Sequence, residues 1–142
     1  MTRPAPRTLS RLLAPLIALG LVACGTTVST GNFKGEEHEV AQAISNLQAD
    51  VRETSQQKLC TEGLSTRTVN AVGGRTRCEQ VIKGQLSEVD SFELSVESVH
   101  VNATAKPPTA TAKVKSIYGG KNALKTLLLV KEGGKWRLSG LQ

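Results

Sequence analysis

The chain has 142 residues, a formal charge of +6 and only four aromatic residues. This length suits one domain of ordinary size. Removal of residues 1–23 takes away Arg3, Arg7 and Arg11 and no acidic residue, which lowers the charge to +3. A protein that binds nucleic acid needs basic side chains interleaved with stacking rings. The weak charge and the few rings therefore argue against nucleic acid as a partner.

The first 23 residues are arranged as an export signal. Arg3, Arg7 and Arg11 give a positive start, and Leu12 to Ala23 are almost wholly apolar, as in a secretory signal peptide. The apolar run is too short for a membrane span, which needs about 18–20 residues. We therefore predict that residues 1–23 are a signal peptide and that the mature protein is exported.

Leu21-Val22-Ala23-Cys24 follows this apolar run and resembles the lipobox of bacterial lipoproteins. The resemblance implies that Cys24 takes a lipid and becomes the first residue of the mature protein. It also implies that the lipid holds the protein on the extracytoplasmic face of a cell membrane, and two or three acyl chains make such an attachment stable. The alternative is an ordinary signal peptide, or an uncleaved anchor, with Cys24 there by chance.

Residues 24–35 are rich in Gly, Ser and Thr and have no apolar period, which predicts a flexible tether before a domain at 36–142. A helix is then predicted from Glu36 to Leu59. One stripe of apolar residues recurs there every three or four positions: Val40, Ile44, Leu47 and Val51. A short, poorly patterned stretch follows this helix.

A second helix is predicted to begin at Thr76, because Thr76-Arg77-Cys78-Glu79 matches the capping box. With Cys24 assigned to lipid, Cys60 and Cys78 remain. Leftover cysteines usually pair in an oxidising compartment, so we predict a disulfide between them. Two buried free thiols are the alternative. No Cys-x-x-Cys is present, and neither a zinc site nor a redox pair is indicated.

The apolar period changes to two after the second helix, which predicts strands. Phe92, Leu94 and Val96 alternate with polar residues, and Val99 and Val101 continue in the opposite phase. The phase change predicts a β-bulge near Glu97–Ser98. Three further strands are predicted at Ala110–Val114, Leu124–Val130 and Trp136–Leu141. Turns between them are predicted at Tyr118–Lys121 and Glu132–Lys135.

Helices followed by four strands predict an α+β fold, with N-terminal helices packed on a curved four-stranded antiparallel sheet. The sequence resembles the nuclear transport factor 2-like superfamily in four features. These are the placement of Cys60, the glycine pair Gly73–Gly74, the motif Arg77-Cys78-Glu79 and a closing hairpin at 128–138. The resemblance covers 36–142. It implies a cone-like sheet wrapped around a pocket that the helices close.

Enzymes of this superfamily use a carboxylate or an Asp–His pair inside the cone, where an apolar pocket tunes the pKa. Residues of suitable chemistry are His38, Asp50, Glu53, Asp90 and His100. We predict that each faces solvent, because each lies in a turn, in the first turn or on the polar side of the first helix, or opposite to the apolar residues of its strand. No spacing places a carboxylate and a histidine together. The single tyrosine, Tyr118, precedes a turn. No catalytic residue, metal site or cofactor is therefore predicted.

The leading hypothesis is a lipid-anchored, extracytoplasmic, non-enzymatic binding or accessory domain, whose partner is a small apolar ligand in the cone or an envelope protein. One alternative is an isomerase or cyclase that uses the cone pocket. Another is a structural or regulatory lipoprotein that contacts anionic surfaces through a lysine-rich sheet face: Lys113, Lys115, Lys121, Lys125, Lys131 and Lys135. Trp136 is expected in the core or at the cone mouth.

Overall fold

A computed structural model describes residues 28–88, 92–118 and 120–142. The predicted signal peptide and Cys24 lie outside the described residues. The elements are α1 (Gly35–Arg52), α2 (Gln56–Lys58), a π-helical segment called here the π turn (Leu59–Gly63), α3 (Thr66–Ala71), α4 (Arg75–Leu86), β1 (Phe92–Asn102), β2 (Thr109–Tyr118), β3 (Lys121–Glu132) and β4 (Lys135–Leu141). In the part of the chain that is described, we find no helix long and apolar enough to cross a membrane.

The strands form one antiparallel sheet in the order β1-β2-β3-β4, and α1 packs on its inner face. The predicted α+β architecture is confirmed. The main core joins the apolar stripe of α1 to the inner face of the sheet: Val28, Val40, Ile44, Leu94, Ala110, Ala112, Val114, Leu127, Leu129 and Trp136. Burial of this apolar surface is the main stabilising contribution to the fold.

Two hydrogen-bonded contacts fix the direction of α1 over the sheet. Gln48, which is 3% exposed, accepts a 2.6 Å hydrogen bond from the backbone N–H of Leu94, so the end of α1 lies over the start of β1. The start of α1 lies over the opposite end of the sheet, because the Nζ atom of Lys131 is 2.8 Å from Oε1 of Glu36. A buried glutamine is tolerated here because its oxygen has a donor.

The predicted bulge in β1 is confirmed. Val96 pairs with Val114 and Ser98 pairs with Lys113, which leaves Glu97 without an opposite residue. The extra residue lets Val96 and Val99 both face the helices despite their odd spacing, and it increases the twist of the strand. A second irregularity lies between Leu128 and Leu129 in the pairing of β3 with β4.

The predicted end of the first helix and the predicted start of the second helix are both wrong. The first helix ends at Arg52, because Thr54 adopts a φ of 52° and the chain turns before α2. The second begins at Arg75, and its N-cap is Gly74 with a φ of 88° and no side-chain cap. A left-handed glycine redirects the chain at that point without a steric penalty, so the capping box is not used.

The stretch predicted to lack pattern contains α3. Ser65, which is fully buried, caps this helix by accepting a hydrogen bond from the backbone N–H of Thr68 at 3.2 Å. The backbone N–H of Ser65 also donates to the carbonyl of Leu138 at 2.8 Å, and Leu64 forms a parallel bridge to the same residue. This segment therefore covers part of the free edge of β4, which limits pairing with other chains.

Cys60 in the π turn and Cys78 in α4 are joined by a disulfide, and their Cα atoms lie 6.0 Å apart. Both cysteines are buried. They form a second apolar cluster with Val69, against which Leu64 and Ile82 pack. The disulfide thus links the helical layer at a point outside the main core.

The segment before α1 is packed where it is described. Val28 lies within the predicted tether 24–35, yet it is 5% exposed and belongs to the main core. Two residues later, the carbonyl of Thr30 accepts a hydrogen bond from Nδ1 of His38 at 3.1 Å. Val28 and Thr30 therefore contact the domain, and the valine gains free energy by leaving water, whereas Ser29, Gly31 and Asn32 between and after them are exposed.

Candidate binding groove

The space between α1 and the sheet is filled. Within the described residues, the void there has a volume of about 10 Å³. It is lined by apolar residues and one glycine: Ala43, Ile44, Leu47, Gly63, Leu127, Leu129, Trp136 and Leu138. One water molecule needs about 10–15 Å³. The described interior therefore has no room for the small apolar ligand that the sequence analysis placed there.

An open groove of about 410 Å³ lies outside this filled interior. It runs between α1, the π turn and the hairpin that joins β3 to β4. Its lining combines polar and apolar side chains: His38, Glu39, Gln42, Ala43, Asn46, Leu47, Asp50, Glu62, Gly63, Gly134, Lys135 and Trp136. Known ligand sites range from about 300 to 1,000 Å³, so the groove is large enough for a ligand.

One wall of the groove is a polar stripe of α1. His38, Gln42, Asn46 and Asp50 are spaced four residues apart, which places them on one side of the helix. At 1.5 Å per residue the stripe is about 18 Å long. In its middle, Nε2 of Gln42 donates to Oδ1 of Asn46 at 3.1 Å. The wall thus offers amide groups between an imidazole at one end and a carboxyl at the other.

The opposite wall depends on glycines that let the chain turn or approach closely. A Cβ atom at Gly63 would lie 3.1 Å from Cδ1 of Leu47, so the glycine permits the π turn to pack against α1. Gly133 and Gly134 have φ values of 57° and 79°, as the predicted two-residue hairpin turn requires. Nζ of Lys135, which follows this turn, lies 3.5 Å from Oε2 of Glu62.

Trp136 closes the bottom of the groove and is 5% exposed. Its indole Nε1 is buried and has no hydrogen-bond partner among the described residues. Nζ of Lys131 lies 5.5 Å from the ring centroid, 2.8 Å from Glu36 and 2.9 Å from Glu39. The hydrogen bonds that Lys131 donates to Glu36 and Glu39 raise the pKa of Lys131. This lysine therefore remains a cation beside the tryptophan.

Asp50 occupies the other end of the groove and its side chain is only 15% exposed. Burial raises the pKa of this carboxyl, the carboxylates of Glu53 and Glu62 raise it further, and Lys58 at 3.8 Å opposes the shift. Lys58 itself donates a 3.2 Å hydrogen bond to Glu53, which raises the pKa of the lysine. Asp50 is thus less solvated than the sequence predicts.

The remaining candidate residues are not brought together. His38 and Asp50 line the same groove but lie at its two ends, about 18 Å apart along α1. Glu53 is exposed after the end of α1, and His100 is exposed on the outer face of the sheet opposite Thr111. Asp90 and the side chain of Tyr118 lie outside the described residues. The described chain contains no cluster of three or more residues suited to hold a metal ion.

The sequence reasoning missed the contribution of the π turn to the groove. The spacing of His38, Gln42, Asn46 and Asp50 could have indicated one polar wall. Glu62 could not be placed from sequence, because its position depends on how the π turn packs against α1.

The six lysines do not share one face. Strand register places Lys113 and Lys115 on the outer face, and Lys121 and Lys125 on the inner side of β3 beyond α1. Lys131 bonds to the start of α1, and Lys135 pairs with the π turn. The predicted lysine-rich sheet face is therefore divided.

The fold resembles two solved structures. A five-substitution variant of Rd1NTF2_05 matches with a TM-score of 0.51 at 15% identity, covering 76% of this chain and 98% of that chain. A candidate dehydratase of the NTF2-like family from Streptomyces avermitilis matches with a TM-score of 0.52 at 15% identity, covering 73% and 91%. The chain therefore has the nuclear transport factor 2-like fold.

At 15% identity, these two structural matches show the fold alone. No family model matches this chain, and no curated protein matches it. In this protein, four residues line both the groove and the small interior void: Ala43, Leu47, Gly63 and Trp136. The groove is thus the outer mouth of a cone whose interior is occupied by side chains.

Proposed function

We propose that this protein is a lipid-anchored, extracytoplasmic binding domain without a catalytic role, and that it recognises its ligand in the groove. The observation that carries the proposal is the contrast between a filled interior, with a void of about 10 Å³, and an adjoining groove of about 410 Å³. Binding in an open groove needs no enclosed cavity.

The groove chemistry favours a short, extended peptide segment that carries a positive charge. The amides of Gln42 and Asn46 can donate to and accept from a peptide backbone. Asp50 and Glu62 lie at one end, where Lys58 is 3.8 Å from Asp50 and Lys135 is 3.5 Å from Glu62. The groove lining still has more acidic than basic side chains and would attract a cationic side chain. The 18 Å length corresponds to about five extended residues. Because Trp136 is 5% exposed, it offers little ring surface for stacking.

Export and anchoring rest on the N-terminal sequence. Arg3, Arg7 and Arg11, the apolar run and Leu21-Val22-Ala23-Cys24 together support attachment of lipid to Cys24. Metabolic labelling with a radioactive fatty acid in the native host should label the protein. Cys24→Ser should abolish the label and release the protein from the membrane fraction. Label retained by Cys24→Ser would contradict the lipid anchor.

Photocrosslinking in the native host tests the groove. A photoreactive amino acid replaces Asn46 in the groove or, as a control, the exposed Gln80 on α4. We expect a discrete peptide or protein adduct from position 46 and not from position 80. The paired change Asp50→Asn with Glu62→Gln should weaken that adduct, because it removes the negative charge. An adduct of equal strength from both positions, or from neither, would refute groove binding.

Asp50 gives specific support to a second function, that of an enzyme which uses a carboxyl group for proton transfer. Its side chain is 15% exposed in the groove, and burial raises its pKa, as is common for catalytic carboxyl groups. Mass spectrometry of a host metabolite extract, incubated with the protein or with Asp50→Asn, tests this function. Consumption of a compound by the unaltered protein alone would favour the enzyme.

A further inference from the structure

The far end of the β2–β3 hairpin is strongly positive. Between Ala112 and Thr126 the chain carries four lysines and no acidic residue. We call these four residues the lysine hairpin: Lys113, Lys115, Lys121 and Lys125. All four are exposed, and none forms an ion pair within the described residues. Lys131 and Lys135 on the same sheet, by contrast, contact acidic side chains.

The helical layer does not cover the lysine hairpin, whose four lysines are all exposed. The last turn of α1 lies over the start of β1, where NH2 of Arg52 is 3.6 Å from Oε1 of Glu93. Strand β4 ends at Leu141, which pairs with Leu127, so β4 does not cover residues 121–125 of β3. Leu124, within that segment, is 70% exposed. The lysines are thus accessible from more than one side.

Protection of a sheet edge explains only two of the four lysines. Lysines commonly prevent a free strand edge from pairing with another chain, and Lys121 and Lys125 lie on such an edge. Lys113 and Lys115 lie on β2, which is paired with β1 on one side and β3 on the other. Two lysines on the face of a fully paired strand have no edge to protect. Their like charges instead favour an anionic partner.

Val28 lies near the end of the sheet that is opposite to the lysine hairpin. The segment at Val28 and Thr30 packs beside the start of α1, which is held to Lys131 at the opposite end of the sheet. Lys121 lies ten residues before Lys131 on β3, or about 33 Å away. Three residues separate Cys24 from Val28, and that link can span at most about 14 Å.

We propose that the lysine hairpin binds a phosphate-bearing anionic polymer that lies off the membrane to which the protein is anchored. The choice of a polymer over the anchoring bilayer rests on the lipid anchor proposed above, because the short link holds the opposite end of the sheet near the lipid. Binding of the polyanion itself rests only on the four lysines. Ammonium groups on an exposed hairpin attract phosphate groups in series without requiring a preformed pocket.

Reconstituted protein provides the test. Lipidated protein purified from its host is placed in phosphatidylcholine vesicles, and co-sedimentation of fluorescent inorganic polyphosphate is measured over increasing salt. We expect salt-sensitive binding. The pair Lys113→Glu and Lys115→Glu should weaken it at least about tenfold, because attraction becomes repulsion. The matched pair Lys83→Glu and Lys106→Glu changes the net charge equally on other exposed lysines and should weaken it by less than about threefold.

Three outcomes would overturn the proposal. Absence of binding, or equal loss in the two double variants, would show that the lysine hairpin is not a specific surface. Polymer binding that disappears when phosphatidylglycerol is added to the same vesicles would show that the hairpin lies on its own bilayer. Intact mass of the purified protein distinguishes these failures from failure of the proposed anchor. A protein without lipid would refute the anchor, and polymer binding would then be measured on the soluble protein.

Discussion

Replacement of Cys60 and Cys78 by alanine should lower the free energy of unfolding by about 3 kcal/mol. The disulfide joins residues separated by 18 positions, and the chain-entropy model gives about 3 kcal/mol for a loop of that length. With an unfolding entropy of about 2.1 cal/mol/K per residue and about 115 ordered residues, this corresponds to a fall in Tm of about 12 °C.

The loss should be concentrated in the helical layer. Helix α4 contacts α2, the π turn and α3, and the cysteines belong to a cluster separate from the main core. Without the disulfide, the second apolar cluster joins α4 to its neighbours only through Ile82 of α4, Val69 and Leu64. Its amide hydrogens should therefore exchange faster, while those in β2 and β3 should change little, because local openings need not involve the whole domain.

Urea denaturation followed by circular dichroism measures the free energy, and hydrogen exchange with mass spectrometry locates the change. The control is reductant, which should lower the stability of the unaltered protein to that of the Cys60→Ala, Cys78→Ala variant and leave the variant unaffected. A difference below about 1 kcal/mol would refute the loop-entropy reasoning. A uniform increase of exchange across the sheet and helices would refute the predicted local effect.

Three further substitutions test the groove and the core. Burial raises the pKa of Asp50, so the folded state binds the proton of this carboxyl more tightly than the unfolded state does, and ionised Asp50 opposes folding. Asp50→Asn should therefore raise Tm at pH 7. An equal gain in Tm below pH 3.8 would contradict this. In urea titrations, Trp136→Ala should cost about 3–5 kcal/mol and Trp136→Phe clearly less, because phenylalanine keeps a ring and removes an unpaired N–H; equal losses would contradict this. Ser65→Ala should cost about 1 kcal/mol and speed amide exchange in α3, whereas unchanged exchange would show that the cap is dispensable.

Local patterns in the sequence predict much of the fold. The change of alternating phase between Val96 and Val99 indicates the bulge that the strand register contains. Gly133 and Gly134 indicate a hairpin turn, and both adopt positive φ. These features depend on backbone conformations and side-chain directions over a few neighbouring residues, so the order of residues is sufficient to predict them.

Patterns of the same kind fail where a competing backbone conformation decides the outcome. The first helix is predicted to continue to Leu59, but Thr54 turns the chain at a φ of 52° and α1 ends at Arg52. Thr76 and Glu79 match a capping box, yet Gly74 begins the helix. In both places, one residue with a positive φ redirects the chain. The side-chain pattern alone favours a longer first helix and a different cap for the second.

The candidate site is decided by tertiary structure. Whether a cone is open depends on side chains from separate elements, and here Leu127, Leu129 and Trp136 fill it. The fate of each lysine likewise depends on distant partners, since Lys131 meets Glu36 across 95 positions of sequence. The sequence by itself predicted helices followed by four strands, the bulge in β1 and the closing hairpin turn, and it predicts lipid attachment at Cys24. Only the packed structure decided the filled interior, the groove and the unpaired lysine hairpin, because volume and charge pairing arise between residues far apart in the chain.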